Sequence, residues 1–253
     1  MSDLPITLCF FTSTKGHHKR LDDYKLTLNH WGSQIDLKKF NLVSHIKVSE
    51  GEEQIGNEIE KDLQDRGFQV VKTTNNWKRG LSMGANYLSD MCKMARFISS
   101  EQTPRVRPYF LLLEDDSLAI SHKVNLEELW REAVNYLKSN PNTLTVRLRR
   151  RNDDIGPVIQ HLNPDERYFW SKDTNFQPLL IRFEDYQKLC RILEHNPQVC
   201  ERVQCELLWR IILCSFHNVP YKHIVWNVDY AESVHLGVPN DDYQKHVQKY
   251  NLK

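Results

Sequence analysis

The sequence of 253 residues has no C-x-x-C pair, no long apolar run and almost no net charge, and each shortage removes a class of protein. Its cysteines, at positions 9, 92, 190, 200, 205 and 214, lack the paired spacing of structural zinc ligands. Cys9 and Cys92 lie in apolar surroundings and read as buried thiols. The four from 190 to 214 could pair in an oxidising compartment, but a reduced, cytoplasmic protein is the simpler reading. No stretch approaches the ~18 consecutive apolar residues of a membrane span, so no membrane partner is expected. The opening MSDLPITLCFF has no basic segment ahead of a long apolar one, which argues against a secretory leader. With 34 basic and 33 acidic side chains the formal charge is +1, whereas a general nucleic-acid binder carries a clear basic excess. The phosphate-cradling pattern G-x-x-x-x-G-K-[ST] is missing. So are internal repeats, low-complexity tracts and linkers.

What is present is a core. Hydrophobic residues make up 40% of the chain, enough for one sizeable α/β domain. ITLCFFTS (6–13), FNLVSHIKVS (40–49), FQVVKTT (68–74) and YFLLLE (109–114) are apolar runs of strand length. Between the first two, Leu21, Tyr24, Leu28 and Trp31 recur at helical spacing. Residues 50–64 form a polar, acidic segment, read as a loop and a surface helix. Residues 80–99 carry Leu81, Ala85, Leu88, Met91, Cys92, Ala95 and Phe97 on a long helix. Fully apolar strands alternating with helices predict a mostly parallel open sheet covered on both faces. The C-terminal half is mixed. It has helices over 126–137 and 184–193, strands over 143–150 and 176–183, a buried helix over 203–216, and a run at 223–231 that closes the sheet.

The most informative stretch is YFLLLEDDS, where the most apolar strand ends on Glu114, Asp115 and Asp116. In open parallel sheets, ligands bind beyond the carboxyl ends of the strands, where strand order reverses. Clustered carboxylates there repel one another unless a cation joins them, and oxygen donors suit Mg²⁺ or Mn²⁺. The bland alternative is that Asp115-Asp116-Ser117 caps a helix or a turn.

With those acids in view, the chain resembles the GT-A glycosyltransferases. YFLLLEDDS looks like their D-x-D region in an E-D-D variant. FFTSTKGHHKR (10–20) follows the first strand, where such enzymes hold base and ribose. ESVHLGVPN (232–240) is similar to their C-terminal H-x-G segment, and QCELLWR (204–210) resembles the segment carrying the catalytic base of inverting members. Within that family the similarity is greatest to the N-acetylglucosaminyltransferases that branch N-glycans, although Glu206 stands where their pattern has aspartate. The lack of their N-terminal anchor suits a bacterial or viral member. The resemblance implies a GT-A-like single domain over 1–253. A nucleotide-sugar donor, UDP-linked by preference, would bind the 1–117 half, and a glycan or glycoconjugate acceptor the 118–253 half.

Candidate residues follow. Asp116 is the expected direct metal ligand. Glu114 is placed on the ribose or on a metal-bound water, with Asp115 intermediate. His235, before a Leu-Gly pair, would complete the metal shell or donate to phosphate, against the alternative of a packing histidine. Glu206 lies among Cys205, Leu207, Leu208 and Trp209. An apolar setting raises a carboxyl pKa and suits a general base; pairing with Arg202 or Arg210 is the competing reading. Thr12, Thr14 and Lys15 would read the base, and Lys15, Arg20 or Arg79 would approach phosphate. Tyr168, Phe169, Trp170 and Trp226 are candidates for stacking on an acceptor sugar, with core packing the default. RLRRRNDD (147–154) would bind an anion, or be a solvated loop paired with its own aspartates. Two other functions stay open: a sugar nucleotidyltransferase, disfavoured because TSTKGHHKR has a single glycine, and a non-catalytic nucleotide- or nucleic-acid-binding module.

Overall fold

A computed structural model describes residues 4–14, 18–75, 81–100, 107–149, 167–171, 178–196 and 223–236, with backbone alone for 18–22, 75 and 81–89. The first strand, β1 (Ile6–Ser13), is buried along its whole length. It turns Leu8 and Phe10 toward one apolar cluster and Cys9 and Phe11 toward another. Two-sided burial explains why its sequence does not alternate. It is followed by α1 (His18–Gln34), β2 (Asn41–Ser49), α2 (Glu53–Asp65), β3 (Gln69–Asn75) and α3 (Leu81–Ser99). Then come β4 (Tyr109–Glu114), β5 (Ser117–Ser121), α4 (Leu126–Ser139), β6 (Thr145–Arg147), β7 (Tyr168–Ser171), β8 (Leu179–Arg182), α5 (Phe183–His195), β9 (His223–Trp226) and β10 (Ala231–His235).

Among the described residues, eight strands form one sheet in the order β3-β2-β1-β4-β8-β6-β9-β7. The β3, β2, β1 and β4 strands are parallel neighbours, while β8 runs antiparallel to both β4 and β6. Helices α1, α2 and α4 pack on one face through Tyr24, Leu28, Trp31, Ile59, Leu63 and Leu129. Helices α3 and α5 pack on the other through Met91, Met94, Tyr186 and Leu189. This is the expected mixed, largely parallel α/β sheet. Because β2 and β3 lie on one side of β1 and β4 on the other, strand order reverses between β1 and β4. No helix among the described residues is long and apolar enough to cross a membrane.

Local chemistry fixes the ends of these elements. Gly67 turns the chain from α2 into β3 with φ of 90°, a left-handed conformation that disfavours any side chain. Asn125 caps α4, its side chain accepting from the Glu127 and Glu128 amides. Gly56 lets α2 lie close on β2: a Cβ there would sit 2.7 Å from Cγ2 of Val48. Gly56→Ala is therefore expected to lower the melting temperature. Overpacking of about 1–3 kcal/mol exceeds the ~1 kcal/mol gained in helix propensity. Adding Val48→Ala should recover part of the loss in the same thermal melt.

One expectation needs correction. The run at 223–231 is not one strand: Asn227 accepts the Asp229 amide at 3.0 Å and turns the chain after Trp226. The chain then leaves the main sheet, and β10 pairs antiparallel with β5 in a separate two-stranded sheet. Of the two places open to Asp115-Asp116-Ser117 as caps, a helix start and a turn, the chain has the turn. The two aspartates form a turn between β4 and β5. The expected 203–216 helix lies outside the described residues.

A charged cluster lies under α3. Lys47, 3% exposed, donates to Asp90 at 2.7 Å, and the His45 ring lies 3.7 Å from the same carboxylate. Burial holds the His45 pKa down to about 4; Asp90 opposes that shift, and Lys47 and Lys93 add to it. The folded pKa lies below the unfolded value of about 6.5, so the fold favours neutral imidazole. Stability from this site is complete above about pH 6.5 and is lost as pH falls toward 4, by about 3 kcal/mol. Denaturant melts at pH 7 and pH 4.5 should show His45→Gln losing less stability on acidification than the parent, by about 2–3 kcal/mol.

Candidate functional site

The acids at the end of β4 and in the turn after it point in different directions. Glu114 stands opposite Phe11 of β1, at the carboxyl ends of both strands and at the reversal point. Asp115 turns the other way and is 4% exposed; its Oδ2 accepts the Thr12 hydroxyl at 2.9 Å. Asp116 emerges on the side of Glu114. There it meets His235, brought in from the far end of the sequence by β10: Nε2 of His235 is 3.3 Å from Oδ2 of Asp116. One donor atom from each of Glu114, Asp116 and His235 falls within 4.8 Å of the others. The pairing of β10 with β5 sets this approach, since His235 is in register with Ser117 and the Leu236 amide donates to the Asp116 carbonyl at 2.7 Å.

The donor set fits a divalent cation. Two carboxylates and one imidazole match the preferences of Mn²⁺ and neighbouring first-row ions, and the carboxylates also suit Mg²⁺. All three residues are half-buried. The Nδ1 atom of His235 is buried and has no hydrogen-bond partner among the described residues, so the ring is held by its packing and by Asp116.

The remaining candidates fall elsewhere. The Thr12 hydroxyl is committed to Asp115. Thr14 extends the β1–β2 pairing: its amide donates to the Lys47 carbonyl at 2.9 Å, and its hydroxyl accepts the Ser49 amide at 2.8 Å. Thr12, Thr14 and Asp115 thus engage their polar atoms inside the protein, beside the cluster and not in it. Trp226 is fully buried with its ring edge-on to Tyr168 at 4.6 Å, so these two aromatics belong to the core. Phe169 and Trp170 are half-buried on β7. Arg147 is 2% exposed and donates to the Leu148 carbonyl, which removes it from any surface anion patch. Lys15, Arg79 and Glu206 lie outside the described residues, as do 150–154, and Arg20 is described in backbone only.

Sequence reasoning missed the supports from α1. Thr27 donates to the Asp115 carbonyl at 2.8 Å and the Trp31 indole to the Ser117 carbonyl at 3.0 Å. Nε2 of His30 lies 2.7 Å from the Ala119 carbonyl. The one available signal was a threonine inside an apolar helical stripe.

No protein-family model and no curated protein matches the sequence. Solved structures do match in fold. A UDP-glucose pyrophosphorylase complexed with UDP-glucose superposes with a TM-score of 0.54 at 13% identity, covering 97% of this chain and 98% of the other. A putative glucose-1-phosphate thymidylyltransferase from Bacillus anthracis gives 0.53 at 9% identity, with 95% and 93% covered. A mannosyltransferase from Pyrobaculum calidifontis, in complex with GDP-Man and Mn²⁺, gives 0.51 at 11% identity, with 97% of this chain and 61% of the other covered. The fold is therefore the α/β fold shared by GT-A-like glycosyltransferases and sugar nucleotidyltransferases.

Proposed function

We propose that the chain is a metal-dependent glycosyltransferase that moves a sugar, with inversion, from a UDP-sugar to a hydroxyl of a glycan or glycoconjugate acceptor. The observation that carries this reading is the convergence of Glu114, Asp116 and His235, from β4, the following turn and β10, at the reversal point of the sheet. These three residues would hold Mn²⁺ or Mg²⁺. Such an ion, when bound, neutralises charge on the diphosphate and on its leaving oxygen. The donor half is 1–117 and the acceptor half 118–253. Short-motif resemblance to the N-glycan-branching enzymes makes UDP-N-acetylglucosamine the first donor to try.

The chain's own residues supply orientation and proton transfer. Turn 115–116 fixes the two outward carboxylates on one side. Glu206 is assigned as the base that takes the proton of the acceptor hydroxyl as it attacks the anomeric carbon. Such a base contributes typically 10²–10⁴-fold in rate. Lys15, Arg20 and Arg79 are assigned to the diphosphate.

Nucleotidyl transfer is the second reading, because pyrophosphorylase-type structures superpose as well as the mannosyltransferase does. Against it, that chemistry must seat a triphosphate or pyrophosphate, and the loop after β1 offers a single glycine. Thermal melting with Mn²⁺ plus UDP, GDP or CTP is the direct test. Saturating UDP with Mn²⁺ should stabilise the fold by about 2–3 kcal/mol at a hundredfold excess over Kd, and neither component alone should do as much. Release of UDP from a donor panel with acceptor supports glycosyl transfer. Formation of UTP from UDP-sugar and pyrophosphate would move the assignment to nucleotidyl transfer. No shift with any nucleotide would leave a binding module.

A further inference from the structure

The turn that carries the metal ligands is held from outside its own sheet. Among the described residues β5 pairs with β10 alone, on one edge. The Asp116 carbonyl faces that edge and accepts the Leu236 amide. The carbonyls of Asp115, Ser117 and Ala119, alternate along the chain, face the opposite edge, where an unpaired strand would need water or another strand. Helix α1 takes that place. Thr27 reaches the Asp115 carbonyl, Trp31 that of Ser117 and His30 that of Ala119.

The spacing explains why a helix can do this. Four residues of helix advance about 6 Å, and two residues of strand about 6.6 Å. Thr27 and Trp31, four apart on α1, therefore keep step with the carbonyls of Asp115 and Ser117, two apart along the chain, while the longer His30 ring reaches on to Ala119. Thr27 and Trp31 are both fully buried, and Thr12 and Asp115 nearly so, so no solvent competes for these bonds. Thr12 adds a bond from β1: by drawing the Asp115 carboxylate inward, it leaves Glu114 and Asp116 facing the other way.

We propose that Thr27 and Trp31 of α1, together with Thr12 of β1, are positioning residues for the Glu114–Asp116–His235 centre, acting through the backbone of turn 115–117 and the carboxylate of Asp115. They touch neither donor nor acceptor. Their role is to fix the directions of Glu114 and Asp116 before any ligand arrives, and it rests on the metal reading above. The middle acid of the triple is then a strut, and only the outer two are ligands.

The test uses the full chain and two readouts. Amide hydrogen exchange at Leu236, whose N–H donates to the Asp116 carbonyl, reports the turn without any metal. Mn²⁺ affinity, measured from the electron paramagnetic resonance of the free ion, reports the centre. Thr27→Val keeps the volume and removes the donor. It is expected to speed Leu236 exchange about tenfold and to weaken Mn²⁺ binding about tenfold, with amides of Val43 and Leu111 in the main sheet unchanged. Thr27→Ser should restore both readouts, and Thr12→Val should reproduce the loss independently. Unchanged Leu236 exchange in Thr27→Val and Thr12→Val overturns the proposal, as does equal acceleration in every strand. If the parent protein binds no Mn²⁺, the metal reading fails on its own account. The exchange result still decides whether α1 holds the turn.

Discussion

Asp116→Ala should abolish the joint stabilisation by Mn²⁺ and UDP and lower sugar transfer by at least about 10²–10³-fold, the usual loss when one electrostatic stabiliser of a transition state is removed. Asp116 is the residue that links both parts of the centre: its carboxylate meets His235 at 3.3 Å, and its carbonyl receives the Leu236 amide. Alanine removes the carboxylate and leaves the backbone bond, so the two-stranded sheet should survive. Unliganded melting should stay within a few degrees of the parent, which separates loss of the centre from loss of the fold. His235→Ala should weaken Mn²⁺ more than Mg²⁺, because imidazole nitrogen favours the first-row ion. Titration of both metals into parent and variant checks this. Retention of full Mn²⁺-dependent nucleotide binding in Asp116→Ala would sink the proposed centre.

The largest stability effect is expected from Lys47. Its ammonium and the Asp90 carboxylate are both nearly solvent-free, at 4% and 3% side-chain exposure. Removing one partner leaves the other charge buried. Lys47→Met should therefore cost about 3–5 kcal/mol in denaturant unfolding. Among the described residues, Asp90 would keep the Lys93 ammonium at 3.8 Å and the neutral His45 ring at 3.7 Å. Adding Asp90→Leu should recover most of the loss, since an apolar pair of similar volume often matches or exceeds a buried ion pair. A double variant no more stable than Lys47→Met would show that the lysine acts through something other than Asp90.

The first half of the fold was legible because each element there carries its own local signal. The run of residues 6–13 became β1, and Tyr24, Leu28 and Trp31 lined the buried face of α1. The strand-length run FQVVKTT begins directly after Gly67, the residue that takes the left-handed conformation there. What stayed hidden depends on partners distant in sequence. Ser117–Ser121 and Ala231–His235 are short and only partly apolar, and become strands only by pairing with one another. Tyr168 and Trp226 stayed open between stacking on a sugar and core packing, because nothing local shows that their rings lie against each other. At the centre, the run of three acids was legible in the sequence, but not the turn that sends Asp115 inward and leaves Glu114 and Asp116 together. The hydroxyl and indole donors of α1 were illegible, because a hydrogen bond to another segment's carbonyl leaves no motif.

The partnership of Asp116 with His235 has a consequence for biosynthesis. The two residues are separated by about 120 positions, and the strand that delivers the imidazole pairs with one that left the ribosome long before it. At about 5–20 residues per second, the acids emerge roughly 6–24 s ahead of their partner. A nascent chain therefore exposes the carboxylates at the end of β4 before the imidazole that completes their centre has been made.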